Sequence, residues 1–131
     1  MVKIDTREKF TVITPNTDFL SDSLTEKLSS LATSYLTKDI KNIVLNMAQV
    51  STIDENVAHN LSKLQQQFYT ANGSFVLCEV KPEVVQMFEK LKLADAINIT
   101  PTESEAWDIV QMEEIEREFL NDEDAELGGS G

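Results

Sequence analysis

The stretch Ile43-Val44-Leu45-Asn46-Met47-Ala48-Gln49-Val50-Ser51-Thr52-Ile53-Asp54-Glu55-Asn56-Val57 carries the reading of this chain. Its first three residues form a continuous apolar run between polar neighbours, the pattern of a central strand covered by helices. Its last residues open a helix. Val57, Leu61, Leu64 and Phe68 recur at the spacing of one helical face, Asp54 stands where an N-cap belongs, and the helix dipole favours Glu55 in the first turn. Asn72-Gly73 supplies the stop.

Outward from that strand-turn-helix unit the same alternation continues. On the N-terminal side, residues 2–5 and 9–14 are short and rich in β-branched types. The polar Thr6-Arg7-Glu8 separates them, so they predict two strands joined by a turn, the second closed by Pro15-Asn16. Leu24, Leu28, Leu31 and Tyr35 then mark a helix with Ser21 or Ser23 as its N-cap. On the C-terminal side, residues 75–80 read as a buried strand, and Pro82 opens a helix carrying Val84, Phe88 and Leu91. Residues 96–99 read as a short last strand. Thr102 with Glu105 matches a capping box, predicting a long helix from Glu103 to about Leu120. The order implies an α/β domain with a mixed, largely parallel sheet, packed helices and a long acidic C-terminal helix.

Composition narrows the function. The 131 residues suit one domain, and 41% hydrophobic with 26% charged residues is ordinary for a globular chain. With 23 acidic and 11 basic residues the net charge is −12 and no basic patch is visible, so nucleic acid and anionic lipid are excluded as expected partners. The acid is concentrated late: residues 113–126 hold eight acidic side chains and one arginine, a net of −7. Cys78, the only cysteine, sits in the apolar run Phe75-Val76-Leu77-Cys78 and reads as a buried structural thiol of a reducing compartment. The first residues lack the apolar stretch of a signal peptide, and no segment is apolar enough to cross a bilayer. The expectation is a cytoplasmic protein without membrane insertion.

Catalytic patterns are missing from the sequence. His59 and Cys78 fall in different elements, His59 lies between Ala58 and Leu61 as an ordinary surface or boundary residue, and there is no CxxC, HExxH or Gly-rich phosphate loop. Neither a metal nor a cofactor is expected, and the chain reads as a binding protein and not an enzyme.

The strand ending in Asn46, the short link and Ile53-Asp54 resemble the STAS family pattern, in which an apolar strand ends in Asp or Asn and Asp-Ser-Ser-Gly follows at the next helix start. The similarity runs over residues 1–112: the opening hairpin, Gly73-Ser74-Phe75-Val76-Leu77-Cys78, Val80-Lys81-Pro82-Glu83-Val84, and the segment 93–99 followed by 102–106. This resemblance implies the STAS fold of anti-sigma factor antagonists, a protein-binding regulatory module acting stoichiometrically in a partner-switching relay. In phosphorylatable members the serine before the glycine is modified by a partner anti-sigma factor that is also a kinase, and the added charge, about −1.5 to −2, changes docking. Here Glu55, Asn56 and Val57 stand where the pattern has Ser, Ser and Gly. An amide accepts no phosphoryl group, so the module is expected to be non-phosphorylatable.

The implied partner-binding residues are Asp54, Glu55, Asn56 and Val57, with Val57 adding a β-branched side chain to the docking surface. The implied partner is an anti-sigma factor or related kinase. Ser51 and Thr52, the nearest hydroxyls, read as the end of the connection. Two other functions fit a domain of this class: a cytosolic STAS subunit of a transporter ATPase, and a receiver-like phosphoacceptor domain using Asp54. The latter requires further carboxylates near the first strand to hold Mg²⁺, whereas Asp5 is isolated.

Residues 113–131 are read as an acidic helical extension with a flexible end at Gly128-Gly129-Ser130-Gly131. At its start, Met112, Ile115 and Phe119 make a narrow apolar stripe among Glu113, Glu114, Glu116 and Glu118. That stripe either covers its own domain or forms a second interface, with another protein or with a second copy in a homodimer.

Overall fold

Strands in this chain form where apolar runs meet on both faces, and helices where apolar residues recur every third or fourth position. The computed structural model describes residues 2–130, with side chains for residues 2–120. The elements run β1 (Val2–Thr6), β2 (Thr11–Pro15), β3 (Phe19–Leu20), α1 (Asp22–Ser34), β4 (Asn42–Asn46), β5 (Thr52–Ile53), α2 (Glu55–Thr70), β6 (Ser74–Cys78), α3 (Pro82–Lys90), β7 (Asn98–Thr100) and α4 (Glu103–Ser130). α4 runs to Ser130, past the end expected near Leu120, and Gly131 lies outside the described residues.

Five strands form the main sheet in the order β1-β2-β4-β6-β7. The run Ile43-Val44-Leu45 is its centre: β4 pairs in parallel with β2 on one side and β6 on the other, Val44 opposite Val12 and Val76. β7 continues the parallel array, and β1 closes the other edge antiparallel to β2. Side chains alternate across such a sheet. Ile13, Ile43, Leu45, Phe75 and Leu77 join one buried cluster with residues of α1, α2 and α3, while Val12, Val44, Val76 and Cys78 join another with Ala106 and Val110 of α4.

Element boundaries moved where local hydrogen bonds overrode pattern. The Arg7 N–H donates to the Phe10 carbonyl at 2.8 Å, so a tight turn consumes residues 7–10 and β2 begins at Thr11 instead of Lys9. The strand expected over 96–99 starts later, because Ala94–Ala96 form a 3-10 turn and pairing with β6 begins at Asn98. At the end of α2 the left-handed residue is Asn72, φ 65°, and not the glycine beside it. Gly73 is required for a different reason: a Cβ there would collide with the carbonyl oxygen of Lys41. Only the hydroxyl half of the capping box on α4 is formed, with the Glu105 N–H donating to Thr102 Oγ1 at 3.1 Å.

The two-residue strands β3 and β5 were not foreseen. They pair in parallel as a separate small sheet, Phe19 opposite Thr52 and Leu20 opposite Ile53. The carbonyl of Asp18 accepts from the N–H groups of both Ser51 (2.7 Å) and Thr52 (3.2 Å), which extends the clasp by one residue.

Candidate functional site

The turn singled out in the sequence lies just after the small sheet, at the start of α2. Asp54 has extended backbone, φ −97° and ψ 178°, and its Oδ1 accepts from the Val57 N–H at 2.9 Å. This is an N-cap, satisfying one of the helix's orphan donors. Glu55 and Asn56 project into solvent. Lys90 of α3 approaches Glu55 at 3.6 Å, but both side chains are more than half exposed, so the pair contributes little to stability.

Val57 is the correction at this site. It is fully buried, packed in the cluster beneath α1, α2 and α3, and presents no side chain to a docking surface. The reason is helical periodicity: with Asp54 at the cap, position 57 falls on the same face as Leu61, Leu64 and Phe68. The exposed part of the turn is therefore Glu55 and Asn56, with Asp54 half-buried beneath them.

The surroundings hold groups that sequence spacing did not connect. Ser51 Oγ donates to Asp18 Oδ1 at 2.7 Å and accepts from Lys81 Nζ at 3.2 Å, so three separate connections meet at one hydroxyl. Ser51 thus ends the link, as expected, and also ties it to the entries of β3 and α3. Asn46, at the end of β4, accepts from the Ala48 N–H at 2.9 Å and donates to Glu79 Oε2 at 3.2 Å. Phe19 was missed altogether. It is 49% exposed on β3, directly opposite Thr52, while its neighbour Leu20 is fully buried. The available signal was an apolar pair, Phe19-Leu20, inside an otherwise polar connection.

His59 is exposed on α2. Cys78 is buried on the α4 side of the sheet, and its thiol is pushed up to about 12, chiefly by burial and secondarily by the charges of Glu103 and Glu79. A thiol held protonated is a poor nucleophile. Among the described residues no three His, Cys, Asp or Glu side chains gather in a way that could hold a metal ion, and no described helix is long and apolar enough to cross a membrane. Met112, Ile115 and Phe119 lie on α4 away from this turn and are 59%, 64% and 65% exposed.

Residues 2–106 match the STAS domain model, and the chain belongs to the STAS domain family. Solved structures agree in fold. The Thermotoga maritima protein TM1081 superposes with a TM-score of 0.74 at 20% identity, covering 85% of this chain and 89% of its own. An anti-sigma-factor antagonist (STAS) domain protein of Planctomyces limnophilus gives 0.71 at 17% identity, covering 84% and 97%. Bacillus SpoIIAA, an anti-sigma factor antagonist, gives 0.68 in its unphosphorylated form at 18% identity, covering 85% and 96%. No curated protein sequence matches the chain.

Proposed function

We propose that the chain is a non-enzymatic, cytoplasmic regulatory module of the anti-sigma-factor-antagonist kind, which binds its partner stoichiometrically through the exposed start of α2. The partner class is an anti-sigma factor or a related kinase. The observation that carries the reading is the capped turn itself: Asp54 fixes the backbone, Glu55 and Asn56 stand exposed, and the small sheet that precedes the turn exposes Phe19 and Thr52 opposite each other. Exposed aromatic side chains are enriched at interface centres, which fits Phe19 on the short strand paired with the one that leads into this turn. Likeness of fold to SpoIIAA and the Planctomyces protein supports the same reading.

No hydroxyl occurs from Asp54 to Val57, so the docking state is constitutive at that position. Incubation with a kinase anti-sigma factor and ATP, followed by mass spectrometry, is expected to map no phosphate to residues 54–57. Phosphate on Ser51 or Thr52 with a matching loss of binding would show a displaced switch and overturn the constitutive reading. Asn56→Asp adds one charge with little change of shape and is expected to weaken partner binding by about 1–3 kcal/mol. Unchanged affinity in that variant would remove the turn from the interface.

A further inference from the structure

α4 reverses its polarity halfway along. In its first half Ala106 and Val110 are buried against the sheet, and Trp107 stacks on Phe10 with ring centroids 5.2 Å apart. Between Glu113 and Leu120 the side chains turned toward the sheet are polar. Glu113 accepts from Ser74 Oγ and from Asn98 Nδ2, the latter at 3.1 Å, and Glu114 accepts from Asn42 Nδ2 at 3.2 Å. Arg117 donates to the Gly73 carbonyl and to Ser74 Oγ, each at 3.3 Å.

The apolar residues of the same turns point the other way. Met112, Ile115 and Phe119 are well over half exposed, and Leu120 beside them is 55% exposed. With 3.6 residues per turn, Ile115 and Phe119 stand roughly half a turn around the helix from Glu113 and Arg117. Rolling the helix to cover the apolar residues would break the hydrogen bonds to Asn42, Ser74 and Asn98 and carry Arg117 away from the sheet. These bonds hold the apolar stripe outward, as a contiguous exposed row of four large apolar side chains.

Charge selects what covers it. Asp108, Glu116 and Glu118 are all exposed around the stripe, the latter two within the stretch 113–126 whose net charge is −7. A second copy laid on the same stripe would oppose two such stretches, and an anionic lipid surface would be repelled. The complement is an apolar helical face edged by lysine or arginine, which gains both burial and opposite charge. We propose that the outward face of α4 docks a cationic amphipathic helix of a partner protein, at a site separate from the Asp54 turn.

The test uses the full chain and a labelled model peptide, an amphipathic Leu/Lys helix of about five turns, with a Leu/Glu peptide of identical apolar face as its counterpart. Fluorescence anisotropy is expected to show binding of the Leu/Lys peptide alone. Affinity should fall about tenfold or more in the double variant Ile115→Ser, Phe119→Ser, which leaves the net charge unchanged, and should persist in Asn56→Asp. Circular dichroism on the double variant is expected to match the parent, since both side chains are exposed. Equal affinity in the double variant would reduce the effect to bulk charge and overturn the proposal. So would a dimer of the parent chain in sedimentation that the double variant abolishes, or association with phosphatidylglycerol vesicles in place of the peptide.

Discussion

The two faces of the sheet are covered unequally. Under α1, α2 and α3 lies a cluster of nineteen buried apolar residues, including Phe68, Phe75 and Phe88, with the Phe68 and Phe75 rings 5.6 Å apart. Under α4 lies a cluster of seven among the described residues, its largest buried side chain there Phe10, completed by the half-buried Trp107. Burial is the main stabilising term in folding, so the three-helix face holds the domain together. The α4 face adds less and ends in hydrogen bonds instead of apolar contact. A helix that carries little of the core is free to present a surface.

That contrast is open to direct measurement by chemical denaturation. Phe68→Ala removes a fully buried ring from the three-helix face and is expected to cost about 3–5 kcal/mol. Val57→Gly tests the same face at the start of α2. Had Val57 been a surface residue, only helix propensity, about 1 kcal/mol, would be lost. Because it is fully buried, the loss of its side chain adds about 1.5–3 kcal/mol, for an expected total of about 2.5–4 kcal/mol. On the other face, Val110→Ala is expected to cost about 2 kcal/mol. A loss at Val110 equal to that at Phe68 would break the comparison by showing that α4 is integral to the core. A loss near zero would sharpen it, by showing that α4 docks on an independently stable domain.

Most of the architecture was legible because its signals are periodic. The run Ile43-Val44-Leu45 marks a strand buried on both faces, and Val57, Leu61, Leu64 and Phe68 all proved buried on α2. The strands β3 and β5 were illegible because two residues are too few to show any period; only long-range pairing defines them. The site was half legible. Asp54 as a cap follows from local rules, but the meeting of Ser51, Asp18 and Lys81 joins positions more than thirty apart, or thirty apart, in the chain, which no local pattern encodes. Val57 was misplaced because alignment with a glycine position suggested surface, while its own helical spacing already pointed inward. On α4 the stripe of Met112, Ile115 and Phe119 was visible, yet which way it faced depended on polar partners in three different strands: Asn42, Ser74 and Asn98.

The small sheet gives the Asp54 turn a mechanical property. Ser21 and Asp54, the caps of α1 and α2, each follow their short strand by one residue. Pairing Leu20 with Ile53 therefore sets the two helix starts abreast and clasps them. A partner that pushes on Glu55 or Asn56 cannot bend that turn alone; it must unzip the clasp or drag α1 with it. A partner docking on this turn, as proposed, would meet it already stiff, with little freedom left to be lost on binding.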